Sequence, residues 1–202
     1  MLLKLLAIAV VAILVAGAPP SARADPKILG HSIIFGGGLD WRFLMLDASA
    51  DRWERNLDAY GYSRIGFGSG QYATLGVAFG SLVEAGVLAS HETDHLAHPN
   101  GHDVELRLAG WELGLYLRPR IPLGGAIWLA APLLVGAEVA QLALRRETVG
   151  AVVPIARAGL ALDISFFEVV VSYQQGFPGD SFEPYLAPPV GGLLVQLGFR
   201  IR

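Results

Sequence analysis

The residues with the plainest chemical potential stand close together: His91-Glu92-Thr93-Asp94-His95, then His98, His102 and Asp103, which gathers four of the five histidines. The first five match H-E-x-x-H, in which two imidazoles one helical turn apart hold zinc and the glutamate serves as general base. That chemistry needs a helix, and Pro99-Asn100-Gly101 is a turn signal that cuts any helix here to about two turns. His98 and His102 also miss the third-ligand spacing of the longer zinc-protease motif. The cluster therefore reads as a surface loop, either simply solvated or holding Zn, Cu or Ni loosely through His91, His95, His98 and His102. Ser32 beside His31 is a thin basis for a hydrolase, and there is no Walker loop, dinucleotide fingerprint or nucleophile elbow. No catalytic residue and no tightly held cofactor are expected.

A second group of charges lies inside segments whose apolar residues alternate, the period of a strand with two different faces. From Leu193 to Arg202 one face is Leu193, Val195, Leu197, Phe199 and Ile201, and the other carries Gln196, Arg200 and Arg202. Phe167, Val169, Val171 and Tyr173 alternate in the same way with Glu168, Ser172 and Gln174. Between Val104 and Arg118 the apolar set is Val104, Leu106 and Leu108, then Trp111, Leu113, Leu115 and Leu117. The phase slips by one around Ala109-Gly110, which predicts a β-bulge there.

Turn signals divide the chain after residue 25 into eight strands, over 28–39, 65–79, 82–90, 103–118, 125–141, 151–163, 166–175 and 190–202. The connections alternate, long over 40–64, 91–102 and 176–189, about nine residues between the fifth and sixth strands, and short elsewhere. This is the asymmetry of a transmembrane barrel with short turns at one end and long loops at the other.

Met1 to Ala24 has one Lys at position 4, an apolar run from Leu5 to Ala18, and Ala22-Arg23-Ala24. It reads as a signal peptide over 1–24 cleaved after Ala24, leaving one domain over 25–202. The chain has no cysteine, so an exported form must be held by packing and closed hydrogen bonding rather than disulfides. A charged fraction of only 16% and a net charge of −3 exclude a disordered tail and a basic nucleic-acid binder.

Exported, cysteine-free and built of eight amphipathic strands, with an alternating final strand, the chain resembles the small eight-stranded bacterial outer-membrane β-barrel proteins. The resemblance covers nearly all of 25–202 and implies an all-β, antiparallel transmembrane barrel, located in the outer membrane, surrounded by its lipid and expected to be a monomer. It also implies that the C-terminal strand addresses the barrel-insertion machinery, although such chains usually end in an aromatic residue and here Phe199 is followed by Arg200-Ile201-Arg202. Some such barrels hydrolyse lipid with a Ser/His pair near the outer rim, which is the enzymatic alternative. A structural or surface-interaction role for a closed, non-porin barrel is the principal expectation, and a metal-binding surface barrel is the other alternative.

With the apolar faces toward lipid, Glu84, Glu105, Arg107, Glu112, Glu138, Arg157, Glu168 and Arg200, joined by Arg118 and Gln196, fall on the inward face. Eight strands leave an interior that side chains can fill, so these charges are expected to pair across the lumen as a plug rather than line a pore. In the first long loop Trp53, Leu57 and Tyr60 recur at helical spacing ahead of Gly61, predicting a short amphipathic helix packed on the rim. Two architectures compete. Ile121 to Ala137 is apolar enough for a membrane helix, but Pro122, Gly124-Gly125 and Pro132 speak for a strand. A soluble exported barrel would instead place its apolar faces inward.

Overall fold

The computed structural model describes residues 27–28, 31–43, 64–97, 106–144, 147–177 and 191–202, with side chains over 31–43, 68–93, 109–141, 150–177 and 191–202. The expected leader over 1–24, Glu105, His98, His102 and the loop helix of Trp53, Leu57 and Tyr60 lie outside the described residues. Ten strands follow in order: β1 (Lys27–Ile28), β2 (His31–Phe43), β3 (Arg64–Phe79), β4 (Val83–Ala97), β5 (Leu106–Gly124), β6 (Ile127–Ala130), β7 (Leu133–Leu144), β8 (Glu147–Ile164), β9 (Phe167–Gly176) and β10 (Gly192–Ile201). All pairings are antiparallel. The sheet closes on itself because β2 pairs with both β3 and β10, and β6 and β7 together make one of eight staves between β5 and β8.

Closure fixes the geometry. The ladder partners starting from Trp111 run through His91, Gln71, Leu39, Leu197, Val169, Leu162 and Leu129, and return to β5 at Ile121. One circuit thus advances ten residues along β5. For eight strands that stagger gives a tilt of about 40° and a rise of about 2.5 Å per residue along the barrel axis.

Alternation then sorts the side chains. On β5 Trp111, Leu113, Leu115, Leu117 and Ile121 are exposed, while Glu112, Tyr116, Arg118 and Arg120 are buried. On β10 Leu197 is exposed, while Leu194, Gln196 and Arg200 are buried. From Trp111 to Ile121 the exposed apolar face spans about 25 Å of axis, the height of the lipid-facing band of a membrane barrel. Charges inside and hydrocarbon outside are the reverse of a soluble ligand-carrying barrel.

Several sequence expectations need correction. No bulge occurs at Ala109-Gly110: β5 pairs residue for residue with both β4 and β7 over Leu106–Leu117. Arg107 belongs to β5, and its side chain lies outside those described. The register shifts fall instead at Ile65/Gly68 and at Pro122/Gly124. The single strand expected over 125–141 is interrupted at Ala131-Pro132, because Pro132 has no N–H for a ladder. Its carbonyl still accepts the Gly159 N–H (3.0 Å), and the Ala131 N–H donates to the Pro119 carbonyl (2.9 Å). Pro154 sits at the last rung of β8 against β9, where its carbonyl accepts the Phe177 N–H (2.8 Å). Its missing donor points to the same side, where the partner strand has just ended. Only two positions separate Leu144 from Glu147, not about nine. The alternative membrane helix over 121–137 is strand, and no described helix is long and apolar enough to span a membrane.

Candidate functional site

The feature with most chemistry is the barrel interior. Among the described residues twelve charged side chains are buried there: Asp40, Glu84, Glu92, Glu112, Glu138, Asp163 and Glu168 with Arg42, Arg118, Arg120, Arg157 and Arg200. They form two sets.

The set at the turn end centres on Glu84 and Glu168. Glu84 meets Arg120 Nη1 at 2.8 Å, Arg200 Nη1 at 3.0 Å and Arg202 Nη2 at 2.6 Å. Glu168 accepts from Arg118 Nη1 (2.6 Å), Arg200 Nε (3.0 Å) and the Tyr72 hydroxyl (2.8 Å). Arg118 also bonds Asp163. Arg120 lies 4.1 Å from the Trp128 ring centre, a cation–π contact, and its Nε donates to the Ser81 carbonyl (2.8 Å).

Toward the loop end Arg42 makes a bidentate pair with Glu138 (3.0 and 2.8 Å), and its Nε lies 2.6 Å from Glu92. Gln174 donates to Glu138 (2.9 Å) and accepts from Arg157 Nε (3.0 Å). Arg157 also pairs with Glu112, which accepts from the Ser90 hydroxyl (3.2 Å). Tyr72, Leu88, Tyr116 and Leu134 pack between the two sets. They line part of a cavity of about 30 Å³, room for one or two waters. Among the described residues none of the ion pairs crosses from one set to the other.

Of the charges singled out in the sequence, Glu84, Glu112, Glu138, Arg157, Glu168 and Arg200 are thus brought into buried pairs. Sequence reasoning missed Asp40, Arg42, Glu92, Asp163 and Arg120. The signal was parity: Asp40 and Arg42 continue the phase of buried Ile34, Glu92 that of Glu84, and Asp163 that of Arg157.

Glycines make the room. A Cβ on Gly76 would strike the Tyr116 hydroxyl and stand 2.7 Å from the Ala85 carbonyl, and one on Gly110 would strike the Glu138 carboxylate. Large lumen side chains therefore lean on wall positions that have no side chain.

The histidine motif is corrected by this geometry. His91 and His95 belong to β4, not to a loop or helix, and four residues of strand set their backbones about 13 Å apart. His91 stacks on Trp111 (centroids 4.2 Å) on the outer face, with Nδ1 3.0 Å from the Gly110 carbonyl oxygen. Glu92 points the opposite way, into the lumen, and is committed to Arg42. H-E-x-x-H is thus a stretch of strand and not the helix which that zinc-protease motif needs. Among the described residues no three acidic or imidazole side chains converge as metal ligands. His31 packs on Phe79 (5.1 Å) at the turn end, away from the outer rim, and Ser32 follows it in a strand and so faces the other side. Ser32 and His31 therefore do not form a Ser/His pair.

No family model matches the chain, and no curated protein matches it. Solved structures do. The N-terminal β-barrel domain of Pseudomonas aeruginosa OprF matches at 11% identity and a TM-score of 0.45, over 84% of this chain and 97% of that one. Neisserial surface protein A matches at 7% identity and a TM-score of 0.46, over 84% and 95%. The Yersinia pestis attachment invasion locus protein Ail matches at 12% identity and a TM-score of 0.41, over 85% and 97%. Each of these neighbours, like this chain, is a small eight-stranded barrel.

Proposed function

We propose that this chain is an integral outer-membrane barrel of the closed, non-porin kind, serving a structural or surface-interaction role through its loop end. The observation that carries the reading is one alternation with two consequences: an exposed apolar belt about 25 Å tall outside and a lumen filled by ion-paired side chains inside. In hydrocarbon every backbone group must be paired within the protein, and a closed sheet is the only β arrangement that does this. The leader over 1–24 would deliver the chain, β10 with Phe199 would address the insertion machinery, and mature protein would begin at Asp25.

The test is gel mobility of the refolded, detergent-solubilised chain, loaded boiled and unboiled, with circular dichroism on the same sample and sugar permeability after reconstitution into liposomes. A heat-dependent shift, a β-type spectrum and liposomes that remain tight to glucose are expected. A helical spectrum without a shift would overturn the barrel, and glucose flux would overturn its closure.

A further inference from the structure

Among the described residues the two halves of the lumen are not equally balanced. At the turn end three acids, Glu84, Asp163 and Glu168, face three buried arginines, with Arg202 at the mouth. At the loop end four acids, Asp40, Glu92, Glu112 and Glu138, share two, Arg42 and Arg157. Arg42 is taken by Glu92 and Glu138, and Arg157 by Glu112.

Asp40 is left over. It has no exposed surface, and among the described residues neither carboxylate oxygen has a hydrogen-bond partner. Oε1 of Glu112 is also without one. Asp40 Oδ1 and Glu92 Cγ both lie within 2.7 Å of the point where a Gly70 Cβ would stand, so absence of a side chain at Gly70 brings two carboxylates together. The charged groups facing Asp40 are Glu92 and Glu112 from β4 and β5, Arg157 from β8, and Arg42 from its own strand.

An unpaired buried carboxylate is costly enough that proteins neutralise it or supply a counter-charge. The free acceptors here are carboxylate oxygens of Asp40, Glu92 and Glu112, while Arg157 Nη1 is a donor without a partner; hard oxygens of this kind suit alkali and alkaline-earth ions and not soft transition metals. Since no three acidic side chains among the described residues converge at ligand distance, such an ion must keep part of its water shell. We propose that the loop-end half of the lumen is a binding site for one small hard cation, held between Asp40, Glu92 and Glu112 with water completing its coordination.

The experiment measures the unfolding rate of the refolded full chain at a fixed high temperature, by the unboiled-to-boiled gel shift. It is run in choline chloride and then with NaCl, MgCl2 or CaCl2 replacing choline at constant ionic strength and pH 7.5. At least one of the three should slow unfolding saturably, by about tenfold at about ten times its dissociation constant, because binding to the folded state alone stabilises by mass action. Asp40→Asn should remove the response and, in choline alone, unfold more slowly than the parent, since it deletes the uncompensated charge. Glu92→Gln should weaken the response, and Glu84→Gln, in the balanced half, should keep it. Equal rates in all four salts, or an undiminished response in Asp40→Asn, would overturn the site. Equal rates in all salts with a pH dependence between 6 and 8 that Asp40→Asn abolishes would make the counter-charge a proton, which also overturns it.

Discussion

Removing the Glu84 carboxylate probes whether the turn-end half of the lumen is a dry, paired interior. Glu84 is fully buried and holds Arg120, Arg200 and Arg202 at 2.8, 3.0 and 2.6 Å. In Glu84→Ala, Arg202 can rehydrate, because about a third of its side chain is already exposed, and Arg200 keeps Glu168. Arg120 keeps only the Ser81 carbonyl and the Trp128 ring, and no anion. Breaking a buried pair from one side costs about 3–5 kcal/mol, against about 0–1 for an exposed pair. We therefore expect Glu84→Ala to lose about 3–5 kcal/mol, measured by urea unfolding of the refolded barrel followed by tryptophan fluorescence. Buried charges are little screened by salt, so the loss should persist in 1 M NaCl as it does in low salt. Glu84→Gln keeps the shape and one acceptor, and should recover part of the loss. A loss under about 1 kcal/mol, or one that vanishes in high salt, would mean that water reaches Glu84 and would refute the paired, closed interior.

Three further outcomes follow from the same geometry. Leu115→Arg, near the middle of the apolar belt, should cost about 2–4 kcal/mol in lipid, while Gln175→Arg at the rim costs about 0–1; equal small effects would count against a membrane-facing exterior. Gly76→Ala should destabilise by about 1–3 kcal/mol because the added methyl meets the Ala85 carbonyl as well as Tyr116. Gly150→Ala, whose nearest neighbour would be 3.8 Å away, should be tolerated, so equal effects in urea unfolding would refute the account of the glycines. Finally, His91→Ala should leave zinc uptake of the refolded chain unchanged, measured by calorimetric titration; a lost stoichiometric site would show that His91 is a ligand after all.

The strands were legible in the sequence where one face is hydrocarbon and the other is not. Leu197 and Phe199 against Gln196 and Arg200 need no structure to be assigned. Legibility ended where a strand rises past the apolar belt, because both faces then turn polar and the period disappears. Ser69 and Gln71 face outward on β3, as do His91 and Thr93 on β4, while Glu92 and Asp40 face inward. The upper part of β4 therefore looked like a histidine loop, and β2 seemed to end before Asp40 and Arg42. Gly110 misled in another way. Its lack of a side chain weakened the alternation between Leu108 and Trp111 and suggested a slip, whereas its role is to give the Glu138 carboxylate room. Pairing partners across the lumen, such as Arg42 with Glu138, depend on the ten-residue stagger and so on closure, which no single segment encodes.

That stagger also decides why the barrel is better read as a wall with loops than as a conduit. An ion crossing it would have to part Glu168 from Arg118 and Arg200 at one level and Arg42 from Glu138 at another. Between them it would pass the packed layer of Tyr72, Leu88, Tyr116 and Leu134, where the free space admits only a water or two. Because no ion pair among the described residues joins the two levels, loosening one gives no help in opening the other, and their stability losses should add. Each lock must then be broken separately, at the cost of a buried pair each time. A chain selected to pass solutes gains nothing from two independent locks. The surface-interaction role proposed above asks instead for a rigid mount, which two independent locks supply.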